Sequence, residues 1–159
     1  MFSMTNGTDG IYVKAQGTNG AGLTWADILA ITGAVDTANA PDDHRSWLFN
    51  PATVAYLQGV PKVTGYPTFI LGDNDQVAGY GYGSTSLVPN NLTKGTGTGL
   101  SALAFGAWSD MLLALFTGID LFVDPFSSQP HVNVTAAQDY DMHLAHPAAW
   151  AICTDVLTS

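Results

Sequence analysis

Phe105-Gly106-Ala107-Trp108-Ser109-Asp110 leads into the apolar run Met111 to Phe116, and Gly118-Ile119-Asp120-Leu121-Phe122-Val123-Asp124-Pro125-Phe126 follows directly. Leu100 to Val123 is the most apolar window of the chain, so it is either a membrane helix or a set of buried elements. Asp110 and Asp120 interrupt it, and the clean stretch from Met111 to Ile119 is about half of what a membrane helix needs. What remains are segments of strand length: Ala102 to Trp108, Met111 to Phe116 and Ile119 to Val123.

Downstream, His131 to Leu144 reads as a longer strand. It carries Val132, Val134, Tyr140, Met142 and Leu144 on one face and Asn133, Asp139, Asp141 and His143 on the other, provided that no bulge shifts the register. Ala148 to Val156 is the last strand. Upstream, Thr24-Trp25-Ala26-Asp27 offers an N-cap hydroxyl and an acidic residue placed to satisfy the first free N–H groups of a helix. Trp25, Ile28, Leu29, Thr32 and Val35 then form its inward stripe, up to the stop at Asn39-Ala40-Pro41. After the acidic turn Asp42-Asp43, Ser46 to Phe49 is a short strand. Asn50 caps a second helix from Pro51 to about Gln58, with Val54 and Leu57 inward and Gly59 closing it.

Tyr66 to Val88 reads as a meander of short strands around the Gly72-Asp73-Asn74-Asp75 turn. Asn90 to Gly99, with its Lys94-Gly95-Thr96-Gly97-Thr98-Gly99 run, lacks residues that pack and is expected to be disordered or ordered only by a partner. Residues up to Gly22 form an irregular lead-in in which Ile11 to Val13 can make a strand. Helices early and strands late make the fold class α+β.

The chain has 159 residues, 47% of them hydrophobic and only 11% charged, with a mean hydropathy of +0.16. A surface so poor in charge fits a subunit flanked by neighbours. Thirteen Asp and Glu face only Lys14, Arg45, Lys62 and Lys94, for a net charge of −9 and a pI near 4.3. Phosphate binding needs clustered cations, so sequence-specific nucleic-acid recognition is not expected. Cys153 alone can make neither an internal disulfide nor a cysteine-built zinc site and reads as a small buried hydrophobe, compatible with a reducing compartment. Met1 to Gly10 lacks the basic and apolar regions of a signal peptide.

The sharpest chemical candidate is the run from Asp139 to His146, where Asp139, Asp141 and His143 would share a strand face near His146 and suggest a divalent metal. A solvated polar face accounts for the same residues, so no metal ligand is assigned. Gly79-Tyr80-Gly81-Tyr82-Gly83-Ser84-Thr85 lacks the Lys and the strand-to-helix context of a phosphate loop, and tight turns explain it. No Gly-x-Ser-x-Gly elbow is present. Trp25, Trp47, Trp108 and Trp150 fall in apolar stretches and read as core or subunit contacts. No catalytic residue and no cofactor are assigned.

Several motifs recur in a familiar order: Leu23-Thr24-Trp25-Ala26-Asp27-Ile28-Leu29-Ala30, Asn50-Pro51-Ala52-Thr53-Val54-Ala55-Tyr56-Leu57, Ala78-Gly79-Tyr80-Gly81 and Val88-Pro89. The stretch from Phe105 to Phe126 follows, then Gln138-Asp139-Tyr140-Asp141 and His146-Pro147-Ala148-Ala149-Trp150. Together they resemble the major capsid proteins of tailed phages, whose shell subunit has the Hong Kong 97-type fold. Ala107 stands where that family often has an acidic residue, and Gly79-Tyr80-Gly81 replaces a Gly-Tyr-Pro element.

The resemblance implies an α+β subunit with an axial domain, 43–117, and part of a peripheral domain, 23–42 and 118–157, after the lead-in 1–22. On this resemblance the family's N-terminal arm and extended loop are expected to be lacking, the chain then being a fragment, a truncated form or a prophage remnant. The implied function is self-assembly into pentamers and hexamers of a head that encloses double-stranded DNA. Scaffold, portal or head-maturation protease are further partners, and there is no membrane partner. The place is the virion, assembled in the host cytoplasm. An encapsulin-like nanocompartment shell is the close alternative, and a small metal-dependent hydrolase comes from a different class. Some members crosslink a Lys to an Asn beside a carboxylate, and Asn133 and Asp139 lie in the corresponding region without aligning cleanly. The loops Gly72, Asp73, Asn74, Asp75 and Asn90 to Gly99, with Lys94, Gly95, Thr96 and Gly97, are the candidate subunit contacts. The second loop is expected to be removable without unfolding the subunit.

Overall fold

The computed structural model describes residues 10–42, 44–72, 74–128 and 130–158, so expectations placed on Met1 to Asp9, Asp43 and Asp73 lie outside the described residues. In chain order the elements are β1 (Tyr12–Val13), α1 (Trp25–Thr37), β2 (Arg45–Phe49), α2 (Pro51–Gly59), β3 (Gln76–Val77), β4 (Tyr80–Ser84), β5 (Leu92–Lys94) and β6 (Gly97–Ala107). Then follow β7 (Met111–Leu115), β8 (Asp120–Ser128), β9 (His131–Ala137), β10 (Tyr140–Leu144) and β11 (Trp150–Leu157). Among the described residues no helix is long and apolar enough to cross a membrane.

β6 is buried without alternation from Leu100 to Ala107, the pattern of a strand covered on both faces. One edge pairs antiparallel with β11, from Trp150 opposite Gly106 to Leu157 opposite Leu100. Along its other edge β2 pairs with 103–107 and β5 with 97–100. The sheet order is β1-β11-β6-β2-β4-β3, with β5 beside β6. Trp47 and Phe105, 4.4 Å between centroids, form an aromatic cluster with Phe49 and Tyr80. The Trp47 indole N–H donates to the Val77 carbonyl at 3.0 Å, so this buried ring leaves no unmet donor.

The capping residues act as their sequence predicts. Thr24 and Asp27 form a capping box at α1, and the Asn50 side chain accepts from the Ala52 N–H while donating to the Val88 carbonyl. The buried stripe of α1 is Ile28, Ile31, Thr32 and Val35; Leu29 is 48% exposed, because it lies about a quarter-turn off that line. In α2 the buried residues are Thr53 and Leu57, with Val54 only half-buried; the Thr53 hydroxyl bonds that of Ser101 on β6.

Two expectations change. Among the described residues, Tyr66 to Val88 holds only β3, β4 and an isolated bridge from Phe69 to Pro61, the rest being turns, bends and irregular chain. His131 to Leu144 is two strands, because 138–139 face 116–119 across an irregular step; there the Asp139 N–H donates to the Thr117 hydroxyl and the Phe116 N–H to the Asp139 carbonyl. By its internal packing the chain forms two units: one is Met1–Ser109 with His146–Ser159, and the other is Asp110–Ala145. In the first unit β11 is hydrogen-bonded between β1 and β6, and α1 packs on β11.

A Cβ at Gly106 would fall 2.5 Å from the ring of Trp150, which itself meets Trp108 edge-on at 4.7 Å. Gly106→Ala is expected to destabilise this unit by about 1–3 kcal/mol through overpacking. A lowered denaturant midpoint with a weakened near-UV tryptophan signal would show it; an unchanged midpoint would mean that the indole has room to move.

Candidate assembly surface

Asp110–Ala145 is a ribbon of two strands. β7 pairs with β10 and β8 with β9, both antiparallel, so the chain runs out along one strand and back along the other. In antiparallel pairs opposite residues share a face. Met111 with Leu144, Leu113 with Met142 and Leu115 with Tyr140 therefore make one apolar face, while Leu112 with His143 and Ala114 with Asp141 make the other. Further out, Leu121 with Ala136 and Val123 with Val134 are again apolar, opposite a face of Phe122 with Thr135 and Asp124 with Asn133. The alternation expected of Tyr140, Met142 and Leu144 is thus observed.

A two-stranded ribbon has no third layer of its own. Leu113 is 62% exposed, Val123 62%, Val134 61% and Phe126 82%. Apart from Leu29, Val63, Tyr66, Phe69 and Leu87, every exposed large apolar side chain among the described residues lies between Leu112 and Met142. An isolated hairpin is marginally stable in water, and apolar patches of this extent mark interaction surfaces. The ribbon carries Asp110, Asp120, Asp124, Asp139 and Asp141 and neither Lys nor Arg.

The residues weighed for metal chemistry do not converge. Asp141 and His143 share a ribbon face, Asp139 lies in the irregular step, and His146 precedes the turn Pro147–Ala149 in the other unit without a side-chain capping bond. Among the described residues no group of three His, Cys, Asp or Glu could hold an ion. Asn133 lies opposite Asp124, whereas Asp139 lies beyond the end of β9.

Of the expected contact loops, Gly72, Asn74 and Asp75 lead into the edge strand β3, and Gly72 and Asn74 line a cavity of about 390 Å³ with Lys62, Gln76, Ala78 and Gly79; Asp73 lies outside the described residues. Lys94, Gly95, Thr96 and Gly97 belong to a different part of the sheet, since β2 and β4 separate β3 from β6. The expected disorder of 90–99 is also corrected, because this segment is the β5–β6 hairpin, with Gly95 and Thr96 at its turn. The Thr96 N–H donates to the Asn19 side chain at 3.1 Å, and a Cβ at Gly97 would collide with the Asn19 carbonyl.

A buried carboxylate accounts for this order. Asp155 is 2% exposed in β11 and accepts from the Lys94 ammonium at 2.6 Å, the Gln16 N–H at 2.9 Å and the Cys153 thiol at 3.2 Å. Burial alone pushes its carboxyl pKa up, but the bonds from Lys94, Gln16 and Cys153 outweigh that, and the net shift is below the ordinary 3.8. Burial pushes the Cys153 thiol up to about 12, which leaves it a protonated donor and an inert one. The signal that sequence reading passed over is the lone Asp inside an otherwise apolar strand, which demands a partner.

Residues 2–155 match the phage capsid family. The chain belongs to the phage capsid family. This capsid protein is similar to the capsid of native GTA particle, with a TM-score of 0.66 and 19% identity over 97% of this chain and 53% of that one. It is also similar to a chain of Mycobacterium phage Che8, with a TM-score of 0.61 and 10% identity over 91% of this chain and 53% of that one. A third likeness is to the holo-SrpI encapsulin complex from Synechococcus elongatus, with a TM-score of 0.55 and 11% identity over 96% of this chain and 55% of that one. The capsid protein thus spans about half the length of the solved chains it matches. No curated protein matches its sequence. Its fold is the expected α+β, Hong Kong 97-type fold.

Lys94→Met is expected to cost on the order of 2 kcal/mol, between the values for exposed and fully buried ion pairs, because Lys94 is part-exposed while Asp155 is not. Chemical denaturation would measure it, and an unchanged midpoint would return the hairpin to the class of dispensable loops. The pH dependence has a definite sign. A carboxyl held below its ordinary value stabilises fully above pH 3.8 and loses that contribution as pH falls through its lowered folded value. Asp155→Asn should lack this acid limb, so parallel acid limbs in wild type and variant would exclude Asp155 as its source.

Proposed function

We propose that this capsid protein is a structural subunit of an icosahedral head that encloses double-stranded DNA, and that it assembles by burying the Asp110–Ala145 ribbon against neighbouring copies. The observation that carries this reading is a ribbon with apolar side chains exposed on both faces, in a chain of a capsid family. Covering apolar surface yields about 25 cal/mol per Å², so a standard interface of roughly 800 Å² per partner offers ample driving force for closed symmetric assembly. A net charge of −9 fits a wall that surrounds DNA without gripping it.

On this reading the unit built on the seven-stranded sheet is the axial domain and the ribbon belongs to the peripheral one. The loop of Gly72, Asn74 and Asp75 and the Gly95–Thr96 turn face the capsomer centre. Scaffold, portal and head-maturation protease are the further partners that the family resemblance implies. The protein acts in the virion after assembly in the bacterial cytoplasm, as a structural protein without catalysis. The likeness to an encapsulin complex favours a nanocompartment shell as the second reading. Nucleic-acid content of purified particles, against a single packaged protein, separates the two.

Light scattering after size exclusion, with negative-stain microscopy, tests assembly. Rings of five or six copies, or shells, are expected from the wild type, and Leu113→Asp with Val134→Asp should shift the mass to that of one chain with its circular dichroism retained. Assembly untouched by these charges would remove the ribbon from the interface.

A further inference from the structure

Two of the exposed apolar residues outside the ribbon, Leu29 and Phe69, line grooves that share one cation, Lys62. Trp25 and Leu29 of the first turns of α1 face Val60, Pro61 and Lys62 across a groove of about 440 Å³. Here Leu29 is turned outward, away from the core stripe where helical spacing first places it. Lys62 stands apart electrostatically as well. Lys14 pairs with Asp27, Arg45 with Asp36 and Asp42, and Lys94 with Asp155, whereas Lys62 among the described residues has only the Trp25 ring, 4.7 Å from its ammonium to the centroid. A cation over an indole keeps its full charge and can still receive a carboxylate.

The complement to such a groove is an aromatic anchor carried on an anionic element. The ribbon supplies it: Phe126, the most exposed aromatic among the described residues, stands near the ribbon tip, and the ribbon bears five Asp with no Lys or Arg. Two ribbons laid on each other would oppose Asp to Asp, while a ribbon laid on this groove meets the only Lys or Arg, among the described residues, outside an ion pair.

We propose that the groove of Trp25, Leu29, Val60, Pro61 and Lys62 seats the ribbon tip of a second copy, with Phe126 between Trp25 and Leu29 and ribbon carboxylates at Lys62. The inference rests on the shell reading and deepens it by naming the two surfaces that meet. They are different surfaces, so the contact is heterologous, and repetition around an axis closes a ring. Aromatic anchors seated in partly apolar clefts beside a charge carry most of the energy of such contacts.

Two variants of the full chain test it by complementation. The groove variant carries Leu29→Ser with Lys62→Glu, and the tip variant carries Phe126→Ser. Each alone should associate at least about tenfold more weakly than wild type, the cost of losing one anchor. Their equimolar mixture should form a dimer and nothing larger, because one intact groove then meets one intact tip and both ends are blocked. Leu29→Cys mixed with Phe126→Cys should form an intermolecular disulfide under oxidation, Cys153 being buried. Variants that assemble like a ring-forming wild type would overturn the groove while leaving the shell reading in place. A mixture that stays monomeric would overturn the heterologous pairing. A wild-type chain that is monomeric at every concentration and gives no mixed disulfide would remove both.

Discussion

Everything in the larger unit hangs on β6 being hydrogen-bonded along both edges. β11 holds one edge and β2 with β5 hold the other, so an early strand, a middle hairpin and the C-terminal strand are locked to a single segment. This strand is also buried on both faces from Leu100 to Ala107, which is why it is apolar at nearly every position there, and its Gly106 faces an indole that leaves no space for a Cβ. The same pairing draws α1 into this unit, because the helix buries Ile28, Ile31 and Val35 where it packs on β11 and β6.

The cost of so apolar a sheet appears where a charge enters it. Asp155 sits in β11 among buried residues, and an ammonium, a backbone N–H and a thiol are all brought to its carboxylate. That arrangement fastens both the lead-in and the β5–β6 hairpin to the sheet. Polar residues here serve the architecture rather than chemistry, in keeping with a family of shell proteins.

The ribbon obeys the opposite constraint. Each of its strands pairs along one edge only, its side chains have no second layer to enter, and no choice of residue within two strands could create one. Apolar residues at such positions are intelligible only through surfaces that lie beyond the ribbon itself. The ribbon's uniform negative sign then narrows which surfaces those can be.

Helix caps, the strand character of 102–123, the face alternation of Tyr140, Met142 and Leu144, the α+β class and the family resemblance were all determined by the sequence, because each depends on spacing within a few residues or on motif order. Local composition could not say that a Gly-Thr run would be an ordered hairpin, since its order comes from Asp155 and Asn19, both distant in the chain. Nor could it pair β11 with β1 and β6, or turn Leu29 outward beside Lys62. Strand partners and the sides that helices bury are settled by long-range pairing, and only the tertiary structure decides those.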